Sequence, residues 1–505
     1  MRIERIVLVN RAPFENLDLD FKDKSVISLT GINGSGKTTI LSYIEDAFYE
    51  MAKEGFRQEF FGEKQDKYYR FSSAIYNMDI NRSSLVYLCF NHEGEEIKYI
   101  DYHGKNDEST YNEMASYIGN AVKYNEIKSY FNGTNTVKKV IIEKEKINTI
   151  FSSGLYTYFP VYRYEQPGYL NDVYRMELSF NCSSNILGYL INPIEVITDL
   201  PQIANWIMDI VLDEDLYKDV IGYSCLNDLL TKILKYKYGA PVRLGIGRRY
   251  MGGARIQILK NNEQGDTIYP SIFNLSSGEA SLLCMFGELL KQSDKIRKST
   301  NDVEGIILID EIDKHLHIKL QLEALPELMR MFPKLQFIIS THSSFVNIGV
   351  SDEFGNNCKI IDLDKNGIEC TADSNGVFRE AYEAMIDENE RYAEAYNDVY
   401  ELLQRNTKPF VITEGKSDWK HIKAAMNALD VNDIDVEFYE FETTLGDSTL
   451  SDMLLKYSKI PNSRPIIGIF DRDNFDAVKI PGIEEQRYVN IGNNVYDMRG
   501  KSPSV

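Results

Sequence analysis

Several things are missing from this chain of 505 residues. No apolar run reaches the ~18 residues that a bilayer-crossing helix needs, so a membrane span is excluded. The opening Met1-Arg-Ile-Glu-Arg-Ile-Val-Leu-Val-Asn10 alternates like a strand and lacks the apolar core and small-residue cleavage site of a secretory leader, so a cytoplasmic location is expected. Six cysteines (Cys89, Cys182, Cys225, Cys284, Cys358, Cys370) are scattered with no CxxC pair, which excludes a zinc framework and predicts buried, reduced thiols. Positive charge is scarce: the net charge is −20, so any contact with DNA or RNA must be local rather than spread over the surface. Internal repeats and low-complexity tracts are lacking as well.

What remains is an ordinary globular composition, 43% hydrophobic and 26% charged, on a chain too long for one core. Two or three domains are expected. The first 30 residues read as two or three strands, ending in Ser25-Val-Ile-Ser-Leu-Thr30, then a glycine-rich turn and a helix from Thr38 to Lys53. Residues 54–265 read as an insertion of mixed structure, with an alternating segment at Ser84–Phe90 and a helical one at Ile203–Leu212. From 270 to 363 helix (Gly278 to Gln292), strand (Gly305 to Asp310), helix (Leu316 to Met331) and strand (Gln336 to Ser340) alternate as in a parallel α/β unit. An acidic polar stretch at 384–407 places a domain boundary near 406. Beyond it, strands at Phe410–Thr413, Asp435–Phe441 and Ile466–Phe470 alternate with helices at Trp419–Leu429 and Leu450–Tyr457.

Gly31-Ile-Asn-Gly-Ser-Gly-Lys37-Thr38 matches the phosphate-loop pattern in full and sits between an apolar strand and a helix. Its glycines let backbone N–H groups turn toward phosphates, Lys37 reaches the β and γ oxygens, and the Thr38 hydroxyl can ligate Mg²⁺. Asn33, Gly34, Ser35, Gly36, Lys37, Thr38 and Thr39 are therefore the expected ATP contacts. Gly305-Ile-Ile-Leu-Ile-Asp310-Glu311 is a buried strand whose acids emerge at its C-terminal end. Asp310 is expected to hold the Mg²⁺ and Glu311 to polarise the attacking water.

Leu275-Ser276-Ser277-Gly278-Glu279 resembles the signature motif of ABC-type ATPases, and Ile339-Ser-Thr-His342-Ser resembles their switch-histidine strand. The order of the motifs is that of the branch containing SMC and RecF proteins. This resemblance implies a signature (Ser276, Ser277, Gly278, Glu279) that caps the γ-phosphate held by a second subunit, hence a homodimer or higher even-numbered oligomer. His342 is either a γ-phosphate sensor or a strand-end histidine with a backbone partner. Asp313-Lys-His315-Leu-His317 resembles a dimer-contacting loop; its two histidines, two apart, have the spacing of a strand-type metal site but no further ligand nearby. Tyr158-Phe-Pro160-Val-Tyr-Arg163 resembles a segment that approaches the nucleotide's γ side, which makes Arg163 an ATP contact or a plain salt-bridge partner.

Thr413-Glu414-Gly415-Lys-Ser-Asp418 and Ile467-Gly-Ile-Phe470-Asp471-Arg472-Asp473 place acids after two strands about fifty residues apart. With Gly446-Asp447 between them, they resemble the Toprim domain of topoisomerases, primases and the OLD (overcoming lysogenization defect) nucleases. Hard oxygen ligands suit Mg²⁺ or Mn²⁺, which can activate water against a phosphodiester. Glu414, Asp471 and Asp473 are the expected ligands and catalytic acids, backed by Asp418 and Asp447. OLD nucleases have further acids and a basic residue after the Asp-x-Asp; here Glu484, Glu485, Lys479 and Lys501 are the candidates. The basic run Arg243–Arg255, with Arg248 and Arg249, suits nucleic acid or a solvated hairpin equally.

The expected fold is thus α/β: an ABC/SMC-type two-lobed ATPase at 1–405, with an inserted mixed α/β region at 54–265 that serves dimerisation, and a small Rossmann-like Toprim domain at 406–505. The resemblance to OLD-family proteins implies an ATPase and metal-dependent endonuclease in antiphage defence of the retron-, Gabija- or PARIS-associated kind. ATP and Mg²⁺ (or Mn²⁺) are its cofactors, DNA or RNA its substrate, and other defence components its further partners. A noncatalytic ATP-dependent sensor or scaffold, and a RecF-like repair ATPase, are the competing expectations.

Overall fold

The computed structural model describes residues 1–56, 74–131, 135–163, 193–197, 201–218, 220–247, 256–262, 265–372, 374, 408–431, 433–441, 444–446, 449–451, 453–454, 465–470, 489–492 and 495–497. The chain divides into two compact units, Met1–Tyr382 and Glu383–Val505. The boundary expected near 406 falls in the stretch 375–407, outside the described residues.

The strands of the first unit are, in order, β1 (Arg2–Arg11), β2 (Phe14–Asp20), β3 (Val26–Thr30), β4 (Ser84–His92), β5 (Glu95–His103), β6 (Thr136–Ile141), β7 (Gly154–Phe159), β8 (Glu195–Val196), β9 (Val242–Ile246), β10 (Ile256–Lys260), β11 (Thr267–Tyr269), β12 (Glu304–Ile309), β13 (Leu335–Thr341), β14 (Cys358–Asp362) and β15 (Ile368–Cys370). They form a seven-stranded sheet in the order β15-β14-β3-β13-β12-β7-β8, a five-stranded sheet β2-β1-β4-β5-β6 and a three-stranded sheet β11-β10-β9. Mixed α/β architecture is the result.

In the seven-stranded sheet every pairing but β14–β15 is parallel. Parallel strands covered on both faces need continuous apolar runs rather than alternation. Strand β3 is buried at all five positions and β13 at all seven. One face, with Ile27, Leu29, Ile306, Leu308 and Ile338, packs on Ile40, Leu41, Ile44 and Phe48 of the helix Lys37–Gly55. The opposite face, with Val26, Ile307, Ile309, Phe337 and Ile339, packs on the helix Ser277–Lys295 through Leu282, Leu283 and Phe286. The register aligns the carboxyl ends: Thr30 pairs with Thr341 and Asp362, and Ile309 with Ile339 and Phe159. Five chain segments therefore leave the sheet along one edge.

The alternating segment at Ser84–Phe90 lies in strand β4, which is buried from Ser84 to Phe90. Val86, Leu88 and Phe90 join the core under the phosphate-loop helix, while Leu85, Tyr87 and Cys89 join a separate cluster with Tyr111 and Met114 of the helix Glu108–Ala115. The stretch read as an insertion thus supplies three strands of one sheet and, through β7 and β8, two of the central one.

The helix expected from Leu316 to Met331 is interrupted by a π-helical turn at Leu320–Ala324 before the regular helix Leu325–Arg330. Pro326 has no N–H to offer the Leu322 carbonyl, so the regular ladder is broken there. Cys89, Cys225, Cys284, Cys358 and Cys370 are thiols rather than disulfides, but only Cys89 is buried and the other four are half-buried. Cys182 lies outside the described residues. Burial pushes the Cys358 thiol up to about 12, which keeps it protonated and unreactive at neutral pH. No described helix is long and apolar enough to cross a membrane.

In the second unit β16 (Phe410–Thr413), β17 (Glu437–Phe438) and β18 (Ile466–Ile469) form a parallel sheet in the order β17-β16-β18, and β19 (Val489–Gly492) pairs antiparallel with β20 (Val495–Asp497). Phe410, Ile412, Leu450 and Ile466 make its small core. The strand expected at Asp435–Phe441 is only Glu437–Phe438, and the helix expected at Leu450–Tyr457 is described only at 449–451 and 453–454.

Candidate functional site

The phosphate loop leaves β3 and turns through left-handed backbone at Gly34 (φ 86°) and Gly36 (φ 93°), the latter capping the helix Lys37–Gly55. A Cβ at Gly36 would stand 2.4 Å from the Phe14 ring, so glycine is required there by packing as well as by φ. Asn33 and Gly34 are exposed, Ser35, Thr38 and Thr39 half-buried. The buried Lys37 folds back onto its own loop, its Nζ donating to the carbonyls of Gly31 (2.7 Å) and Ile32 (2.9 Å). Burial lowers its pKa, opposed by the nearby charges of Asp364, Asp310, Glu311 and Asp313. Four carboxylates thus surround the lysine.

Asp310 is fully buried one residue beyond β12. The Thr38 hydroxyl donates to its Oδ2 at 2.7 Å and the Ser340 hydroxyl donates to its Oδ1. Ser340 Oγ also accepts the Glu311 N–H at 2.7 Å, and Glu311 itself takes a left-handed φ of 45°. Asp313 accepts from the Thr341 hydroxyl (2.6 Å) and the His342 N–H (3.2 Å), so the turn after β12 is bonded to the end of β13. The half-buried His342 follows directly.

Arg163, expected as an ATP contact or a salt-bridge partner, bonds backbone. Its buried guanidinium donates to the backbone carbonyls of Pro160 (3.0 Å), Asp310 and Glu311 (2.6 Å). Burial lowers its pKa, partly offset by Asp310 and Asp313. His315 and His317 lie exposed in a turn rather than on a strand, which removes the spacing argument for a metal. The His317 Nδ1 accepts the Lys319 N–H at 3.3 Å.

Ser276 caps the helix Ser277–Lys295 in a capping box, its hydroxyl accepting the Glu279 N–H while the Glu279 carboxylate accepts the Ser276 N–H at 2.8 Å. Ser276 and Ser277 are exposed. Glu279, expected at the nucleotide, is instead fully buried and also accepts from the hydroxyls of Tyr236 (3.0 Å) and Tyr269 (3.4 Å). Burial raises its pKa, but the bonds from Ser276 and Tyr236 and the charge of Lys237 outweigh it and the net shift is downward. A Cβ on Gly278 would stand 2.6 Å from the His315 carbonyl, so this helix start packs on the turn after β12.

Sequence reasoning missed Asp364 and Ser340. Both Asp364 oxygens accept the Ile32 N–H, at 2.9 and 3.1 Å, from the end of β14. An acid after a strand reads as solvated loop, and only the parallel pairing of β14 with β3 brings it to the phosphate loop.

Within the second unit, the Glu414 N–H donates to the Ile469 carbonyl at 3.1 Å, and the Glu414 carbonyl accepts from the Leu445 N–H at 3.1 Å. The ends of β16 and β18 and the Leu445–Gly446 segment thus meet at Glu414. The Asp418 carboxylate accepts the Gly415 N–H at 2.6 Å, and a Cβ on Gly415 would collide with it. Asp447, Asp471, Asp473, Lys479, Glu484, Glu485 and Lys501 lie outside the described residues, as do Arg248, Arg249 and Arg255. Arg243 sits on β9 of the three-stranded antiparallel sheet. Among the described residues no group of three or more His, Cys, Asp or Glu is placed to hold a metal ion.

A protein-family model described as "AAA domain" matches residues 5–171, and one described as "AAA domain, putative AbiEii toxin, Type IV TA system" matches residues 231–348. The chain is 23% identical over 394 residues to "Retron Vc95 probable ATPase" of Vibrio cholerae serotype O1 biovar El Tor, covering 70% of this chain and 72% of that one. It is 24% identical over 379 residues to "Retron Ec83 probable ATPase" of Escherichia coli, covering 68% and 69%. Among solved structures, the SMC head domain from Thermotoga maritima aligns over 72% of this chain and 95% of its own, at 18% identity and a TM-score of 0.36.

Proposed function

We propose that this chain is an ATP-binding and ATP-hydrolysing protein of antiphage defence, whose first unit gates a metal-dependent nuclease of Toprim type in the second. The observation that carries the ATPase reading is the pairing of Thr38 with Asp310 at 2.7 Å, which joins the phosphate loop to the acidic strand across one sheet edge. A hydroxyl and a carboxylate at this spacing are a donor set suited to Mg²⁺, a hard cation that favours oxygen. Bound ATP supplies the phosphoanhydride to be broken. Lys37 and the loop amides hold its phosphates, Thr38 and Asp310 hold the cation, and Glu311 accepts a proton from the attacking water. His342 senses the γ-phosphate.

The exposed Ser276 and Ser277, at the positive end of a nineteen-residue helix, support a signature that binds the γ-phosphate of a second copy. ATP then holds an even-numbered assembly together and hydrolysis releases it. Relatives named as retron ATPases support the defence role and further protein partners.

Glu414 at the meeting point of β16 and β18 supports the metal-site reading, with Asp471 and Asp473 as its remaining ligands and DNA or RNA as substrate. Asp418 favours the second reading, a noncatalytic sensor or scaffold, because its carboxylate is already engaged by the Gly415 N–H. Purified protein incubated with plasmid DNA, single-stranded DNA and total tRNA, in Mg²⁺ or Mn²⁺ and with or without ATP, separates the two. Cutting that disappears in Asp471→Ala/Asp473→Ala supports the nuclease; defence activity that survives in that variant supports the sensor.

A further inference from the structure

The turn that carries Glu311 is bound to the neighbouring segment Phe159–Arg163. The Phe159 carbonyl, at the end of β7, accepts the Asp310 N–H at 2.9 Å. One turn further on, the Lys314 ammonium donates to the Val161 carbonyl at 2.8 Å. Between these two ties lies Arg163, 7% exposed, whose two terminal nitrogens reach the successive carbonyls of Asp310 and Glu311.

Glu311 needs such support. Its φ of 45° is left-handed, a region strained for a non-glycine residue unless the surroundings fix it. Its N–H is held by Ser340 Oγ at 2.7 Å, and its carbonyl accepts from Arg163 and from the Lys314 N–H at 3.1 Å. The peptide groups on both sides of the Glu311 Cα are thereby fixed, which leaves the side chain a narrow range of directions. A planar guanidinium gives the two carbonyls N–H groups from two nitrogens held at a fixed separation, whereas an ammonium brings all its donors from one nitrogen. Both terminal nitrogens of the arginine are engaged by backbone carbonyls.

Resting on the reading of Glu311 as the base for ATP hydrolysis, we infer that Arg163 is a positioning residue for Glu311, fixing the backbone that carries it, and is not a contact to the nucleotide. A base misplaced by about 1 Å costs up to ~100-fold in rate while leaving ground-state binding alone. A phosphate contact removed would weaken binding first.

The test measures kcat and KM for ATP hydrolysis, and the Kd of a fluorescent ATP analogue, in full-length wild type, Arg163→Lys, Glu311→Gln and the Arg163→Lys/Glu311→Gln double variant. Thermal melts accompany them, with Lys314→Ala as a milder cut through the same staple should Arg163→Lys fail to fold. The expected result is a kcat lower by about 10- to 100-fold in Arg163→Lys, a Kd within about twofold of wild type, and a double variant no slower than Glu311→Gln. Lys314→Ala should lower kcat less, again without moving Kd. A Kd raised about tenfold with kcat preserved would make Arg163 a nucleotide contact and overturn the inference. So would an unchanged kcat, or a double variant slower than Glu311→Gln. A wild-type rate in Glu311→Gln alone would remove the base assignment itself, whatever Arg163 does.

Discussion

Strands β12 and β16 fit one description in sequence, a short apolar strand closing on carboxylates, yet their acids are held in different ways. Past β12 almost every polar group has a named partner: Asp310 bonds Thr38 and Ser340, Glu311 bonds Ser340 and Arg163, and Asp313 bonds Thr341 and His342. Those partners come from three other segments, after β3, β7 and at the end of β13, that reach the same sheet edge. Past β16, Asp418 is bound to the next-door Gly415, and the backbone of Glu414 is tied to β18 and to Leu445. Preorganisation, which decides whether an acid polarises water or merely sits at a turn, is built into the first unit by bonds from distant segments to the carboxylates of Asp310 and Asp313; in the second the described Asp418 carboxylate is bonded locally, while Glu414 is tied to distant segments through its backbone.

Breaking the first unit's network should accordingly have graded effects. Lys37→Ala has the largest, because it deletes the phosphate-loop cation: ATP affinity should fall by 100-fold or more, about 3 kcal/mol, by equilibrium titration. Asp364→Ala comes next. It frees the Ile32 amide and loosens the loop, so affinity should fall about tenfold. Asp364→Asn keeps an acceptor and removes a negative charge near the phosphates, so it should bind ATP at least as well as wild type. That opposite sign separates anchoring from charge. The smallest effect belongs to Ser276→Ala, which removes the helix cap and should cost about 1 kcal/mol in chemical denaturation while weakening ATP-dependent self-association.

The parts of the site written contiguously were legible in the sequence. Gly31 to Thr38 has a fixed spacing with one structural meaning, and an apolar run ending in Asp310 points to a buried parallel strand; both sit where they were expected. Glu279 was assigned to the nucleotide because it belongs to the motif, whereas its burial against Tyr236 and Tyr269 depends on elements more than forty and about ten residues away. Ser340 and Asp364 became part of the site only through the strand order β14-β3-β13-β12, which no local pattern announces, and the bonds of Arg163 to the Asp310 and Glu311 carbonyls depend on β7 lying beside β12. The alternating segment Ser84–Phe90 is buried on both faces because each meets a different apolar cluster.

The central claim is that Glu311, set by this network, drives ATP hydrolysis in the first unit. It is tested most directly by single-turnover hydrolysis of ATP with Mg²⁺ by wild type and Glu311→Gln, alongside sedimentation of both with ATP. The account predicts that Glu311→Gln binds ATP normally, hydrolyses it at least ~100-fold more slowly, and accumulates as an ATP-held even-numbered oligomer. Hydrolysis at the wild-type rate in Glu311→Gln would contradict it.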